Sequence, residues 1–171
     1  NLIAVHLANQ PVPPHDLSAN IAFANPAMEI TQVVQDATNS IPLVANKTTA
    51  GRVAVFASGA LAPQPVLEYL YGQRGNMDLP GSPLLVQMNA PLAVKRLNLG
   101  DTANFLLPPA WITQGEVTFH AEASDFNGHS IATNPQLLLF EGKATPVYWM
   151  IQENIGTANV PDLPAQATID S

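Results

Sequence analysis

MEITQVVQDATNSIPLVANKTTAGRVAVF, residues 28–56, is the stretch on which the fold turns. Side chains alternate between faces in an extended chain, so Met28, Ile30, Gln32 and Val34 fall on one side. Glu29, Thr31, Val33 and Gln35 fall on the other. The run DATNS, residues 36–40, is a polar turn. A short extended piece around Pro42 follows, then a second polar step at residues 46–49. RVAVFA, residues 52–57, is a strand by β-branched content and pattern. Two alternating runs joined through polar turns predict the first strand pair of an antiparallel sandwich.

Working outward, EVTFHAEA (residues 116–123) gives the clearest strand of the chain. Val117, Phe119, Ala121 and Ala123 point one way, and Glu116, Thr118, His120 and Glu122 the other, as a half-buried antiparallel strand requires. Asn127-Gly128 sits at the tip of the turn that follows, a favoured hairpin pair. Further strands are expected at residues 66–71, 84–88, 92–97, 103–107, 136–141 and 146–152. Trp111, just after Pro108-Pro109, reads as a plug at one end. Roughly eight or nine short strands, spaced by turn signals and without a helix, predict an all-β, immunoglobulin-like antiparallel β-sandwich. Its core draws on Ile30, Val34, Val53, Val55, Leu85, Phe105, Val117 and Phe119. The sandwich is expected to span residues 27–152. Residues 1–26 form an extended arm, because Pro11, Pro13 and Pro14 remove ladder donors. Residues 153–171 form a C-terminal tail.

Composition narrows the function. The chain has 171 residues, 47% of them hydrophobic, enough for a sizeable core. Only 11% are charged, with 6 Lys and Arg and a net charge of −7. Nucleic-acid binding needs clustered basic side chains, so that partner class is disfavoured, as is an anionic membrane surface. No apolar run reaches the roughly 18–20 residues that span a bilayer, so no membrane insertion is expected. There is no Cys, which excludes disulfides, thiolate catalysis and Cys-based zinc sites. A neutral surface of Asn, Gln, Thr and Ser suits an extracellular or cell-surface location. The chain begins without Met or a signal peptide and is expected to be a processed chain or an excised segment.

MEITQVVQ (28–35), SIPLVANKTTAGRVAVFA (40–57), GNMDLPGSPL (75–84), NFLLPPAW (104–111) and GEVTFHAEASDFNGHSIATN (115–134) occur in this order. Together they resemble the immunoglobulin-like, CARDB-type β-sandwich modules of large secreted bacterial and archaeal proteins. Similar segments are found beside secreted metallopeptidase domains. The resemblance covers residues 28–134 and rests on packing signatures. It implies a sandwich outside the cell and no active residues.

Each candidate for chemistry has an ordinary structural counterpart. His120 and Glu122 share a strand face, but the deaminase H-x-E pair needs a P-C-x-x-C partner that is absent, and no H-E-x-x-H run exists. They read first as an exposed polar strand face. Asp125, Asn127 and Glu122 are weak calcium candidates, a thin oxygen set that an Asx-type turn accounts for better. Ser58, Ser82, Ser130 and His129 occupy no nucleophile-elbow pattern. Asn46-Lys47-Thr48 is the one glycosylation sequon, at a polar turn.

With no catalytic motif, no enzyme activity and no cofactor are expected. The first functional expectation is a structural subunit that self-associates into a surface assembly or filament. Its partner is protein, copies of itself, engaged by strand donation from a terminal arm. The donated strand would be Leu2, Ile3, Val5 and Leu7, or residues 137–140. The alternative is an adhesion or spacer module of a larger secreted protein, accessory to a metallopeptidase.

Overall fold

A computed structural model describes residues 20–143, except the side chains at positions 25 and 26. Leu2, Ile3, Val5, Leu7, the strand expected at 146–152 and the tail at 153–171 lie outside the described residues. No helix within them is long and apolar enough to cross a membrane.

The described chain is an all-β sandwich of immunoglobulin-like character, with two packed sheets. The first sheet holds β1 (Asn20–Thr31), β3 (Ala50–Ser58) and β7 (Ala103–Leu106) in the order β1-β3-β7, all antiparallel. The second is built on β4 (Gln64–Arg74) and β8 (Gly115–Asp125), paired antiparallel from Val66–Asp125 to Gln73–Thr118. Along the other side of β4 run β6 (Leu84–Ala90) and the two-residue β5 (Met77–Asp78). Along the other side of β8 run β10 (Gln136–Glu141) and β9 (Ser130–Ala132). The two-residue β2 (Leu43–Val44) adds to β10 in parallel.

The strands follow the period-2 pattern where one face is polar. On β8 the residues Val117, Phe119, Ala121 and Ala123 are fully buried, and their neighbours are not. Ile30, Val53, Val55 and Phe105 join them in the core, as expected. Trp111 is the largest fully buried side chain, and its indole N–H donates to Pro80 O at 2.9 Å.

Two expected core residues are exposed. Val34 lies beyond the end of β1, which stops at Thr31, and the chain bends there, leaving Val34 67% exposed. Leu85 sits on β6, where the register turns Leu84, Val86 and Met88 inward and Leu85 outward.

Other elements also depart from expectation. β1 begins at Asn20 and runs through Pro26, with a register irregularity between Phe23 and Met28. An edge strand tolerates proline because an outward N–H is not required for the ladder. The strand expected at 92–97 is instead the loop that carries the chain from β6 to the first sheet. Arg96 anchors this loop: its guanidinium donates to Glu29 and to Gln35 O. Arg52 reaches the same Glu29 carboxylate at 3.7 Å. Residues 137–140, one of the two expected donor strands, belong to β10, paired to β8 with Phe140 fully buried.

Candidate functional site

The edge strands β1 and β2 meet a seam built from carboxamides. Asn39 accepts from Ile30 N–H at 2.7 Å and donates to Met28 O at 3.0 Å, so one side chain takes the ladder position of a neighbouring strand. Its amide also donates to Gln136 Oε1. Gln32 does the same for β2, accepting from Val44 N–H and donating to Val44 O. Gln35 bridges the two, donating to Ile30 O and Ile41 O and accepting from Ile41 N–H. Asn39 has φ 55°, a left-handed conformation that Asn tolerates better than most side chains. The turn behind it is tied by Asp36, which accepts from Thr38 and Ser40, so that its carboxyl is held well below the usual range. Asn39→Ala should therefore destabilise by about 2 kcal/mol, through lost buried hydrogen bonds and a strained backbone, read as a lower urea midpoint with unchanged slope.

The lock covers only the second half of β1. From Asn20 to Ala27 the outer edge meets no strand among the described residues. Beside it opens a cleft of about 420 Å³, within the range of ligand clefts. Phe23, Ala24 and Ala27 form one wall; Ala132, Thr133, Asn134 and Gln136 form the other. Small side chains on both walls leave backbone within reach. No partner is found for the Asn134 amide or the Gln136 amide nitrogen among the described residues.

The candidates from sequence are placed elsewhere. His120 and Glu122 lie on the outer face of β8. The His120 ring stacks on Tyr71 of β4, with centroids 4.4 Å apart, and Glu122 accepts from the Tyr71 hydroxyl at 3.0 Å. Burial, then the Glu122 bond, raises the Tyr71 hydroxyl above its ordinary value. His120 Nε2 stands 3.9 Å from Glu122. These three groups satisfy one another across two strands.

Asp125 belongs to the β8–β9 turn, not to this cluster. Its Oδ1 accepts from Asn127 N–H and His129 N–H, and its Oδ2 lies 2.7 Å from His129 Nδ1. Burial would raise this carboxyl, but the bonds from His129 and Asn127 outweigh it and leave it lowered. Among the described residues, no three His, Asp or Glu side chains form a group able to hold a metal. Asn46 is exposed, at φ 60° in the turn after β2. No serine hydroxyl among the described residues bonds an imidazole.

One buried group escaped the sequence reading. Glu68 on β4 is 0% exposed, between Ala123 and Val86 on the neighbouring strands. Neither carboxyl oxygen has a partner among the described residues. Desolvation raises its pKa to about 8, so the acid is neutral through most of the ordinary range. Alternation places Glu68 on the face of Val66 and Leu70. The opposite face, Leu67, Tyr69 and Tyr71, is equally apolar, so the pattern VLEYLY does not reveal which face is inside.

Comparison with known proteins finds no match: no family model, curated relative or solved structure is similar to the chain.

Proposed function

We propose that this protein is a non-catalytic structural subunit that works outside the cell or at its surface. It self-associates through strand donation from the arm at residues 1–19. The observation that carries this reading is the half-locked edge of β1. A side chain occupies the ladder positions of Met28 and Ile30, while the 20–27 half meets no strand among the described residues. An unpaired edge offers backbone donors and acceptors to another strand. Residues 1–19 lead directly into that edge, and Leu2, Ile3, Val5 and Leu7 supply the apolar side chains a donated strand needs. The low charge and the self-satisfied polar clusters on the sheet faces suit an assembly held by backbone pairing.

The order of segments over residues 28–134 favours a second reading, a CARDB-type adhesion or spacer module within a larger secreted protein. The two differ in what the isolated chain does. A subunit shows a sedimentation coefficient that rises with concentration, and removal of residues 1–19 returns it to a monomer. A full-length chain that stays monomeric across concentrations defeats the assembly reading and leaves the spacer.

A further inference from the structure

We infer that the cleft between the 20–27 edge of β1 and Ala132–Gln136 is the acceptor groove for residues 2–7 of a second copy. This deepens the assembly reading and rests on it. Three observations converge on the groove. The carboxamide lock stops where the groove starts, because Asn39 fills the ladder at Met28 and Ile30 and, among the described residues, no strand fills it before Ala27. Ala24, Ala27, Ala37 and Ala132 line the walls, so an added backbone meets little side-chain bulk. Asn134 and Gln136 stand on the far wall with amide groups to offer, where an incoming strand exposes its second edge.

The arm's own sequence makes residues 2–7, and not the proline-bearing stretch beside Asn20, the segment fit to pair. A tight hairpin from Asn20 would lay residues 10–17 along β1. Pro11, Pro13 and Pro14 fall in that stretch and lack the N–H groups a ladder needs. Residues 2–7 contain no proline. Twelve residues, 8–19, separate them from Asn20, and a proline-rich connector spans roughly 3.1 Å per residue, on the order of 37 Å. That reach is enough for residues 2–7 of one copy to meet the groove of another.

The absence of cysteine makes the test clean. Single-site variants of the full chain are prepared, Ile3→Cys, Val5→Cys or Leu7→Cys on one copy and Ala132→Cys on the other, then mixed and oxidised. A disulfide-linked heterodimer in at least one mixture is the expected result. Ala132→Arg should weaken self-association by at least about tenfold, the effect of losing a few ladder bonds. Leu97→Arg, on an exposed loop residue away from the groove, should leave it unchanged. If residues 1–19 prove necessary for assembly but no mixture cross-links and Ala132→Arg assembles normally, the groove is wrong and the assembly reading stands. If Val5→Cys and Ala132→Cys placed in one chain close within a monomer, the arm serves its own sandwich and the inference is overturned.

Discussion

Glu68→Met is expected to stabilise the fold and to flatten its response to pH. The carboxyl is fully buried with both oxygens unpartnered. Leaving a buried polar group unsatisfied costs about 1–3 kcal/mol, and a thioether of similar length removes that cost. The titration adds a second, larger effect. The folded pKa is about 8 against 4.5 for the free side chain. Between those values the folded state holds one proton more than the unfolded state, so stability falls as pH rises, by up to about 1.4 kcal/mol per pH unit. The contribution is fully present below pH 4.5 and lost once pH has passed 8, a total on the order of 5 kcal/mol. Urea midpoints at pH 5, 7 and 9 should decline steeply for the native chain and stay nearly level for Glu68→Met. Glu68→Gln separates the two effects. It too should be level, but less stable than the Met variant, because its amide remains unpartnered. An equal decline in all three would place the titrating group elsewhere.

Trp111→Ala is expected to cost about 3–5 kcal/mol, the range for removing a large aromatic from a closed core. Its ring packs against Phe119, which in turn meets Phe140 edge-on, so the loss propagates along an aromatic row. The backbone of Gly72 lies against the other side of the ring. A Cβ at that position would stand 2.7 Å from ring carbons Cε3 and Cζ3. Gly72→Ala should therefore destabilise by about 1–3 kcal/mol, as overpacking does, because the indole is held by Pro80 and cannot withdraw. The two changes should be strongly non-additive. In the Trp111→Ala background the added methyl enters the vacated space, and Gly72→Ala costs nothing or restores stability. A double-mutant cycle by chemical denaturation measures this coupling, and additive values would mean that the ring does not set the limit at Gly72.

The parts of the fold that were legible in sequence share one property, a difference between faces. β8 carries apolar residues on one side and polar ones on the other, so both its strand character and its buried face can be read. β4 is apolar on both sides, which hid Glu68. Pro26 lies within β1, an edge strand whose irregularity accommodates it. Val34 continued an alternation that the chain itself abandons after Thr31, where Gln32 and Gln35 turn to bond backbone across the seam. The candidate groove was less legible still. It depends on which edge Asn39 leaves open, and a turn residue 11 positions beyond Met28 gives no local sign of that.

The carboxamide seam has a consequence for where such a protein can work. Edges are commonly guarded by lysine, a device that salt screens over a few ångströms at high concentration and that depends on a charge being present. This chain has only 6 Lys and Arg and guards its seam with Gln32, Gln35 and Asn39 instead. Amides neither titrate nor attract counterions. The amide bonds of the seam are therefore indifferent to salt and acid, whereas the Asp36 turn and the Arg96–Glu29 pair that back it are not.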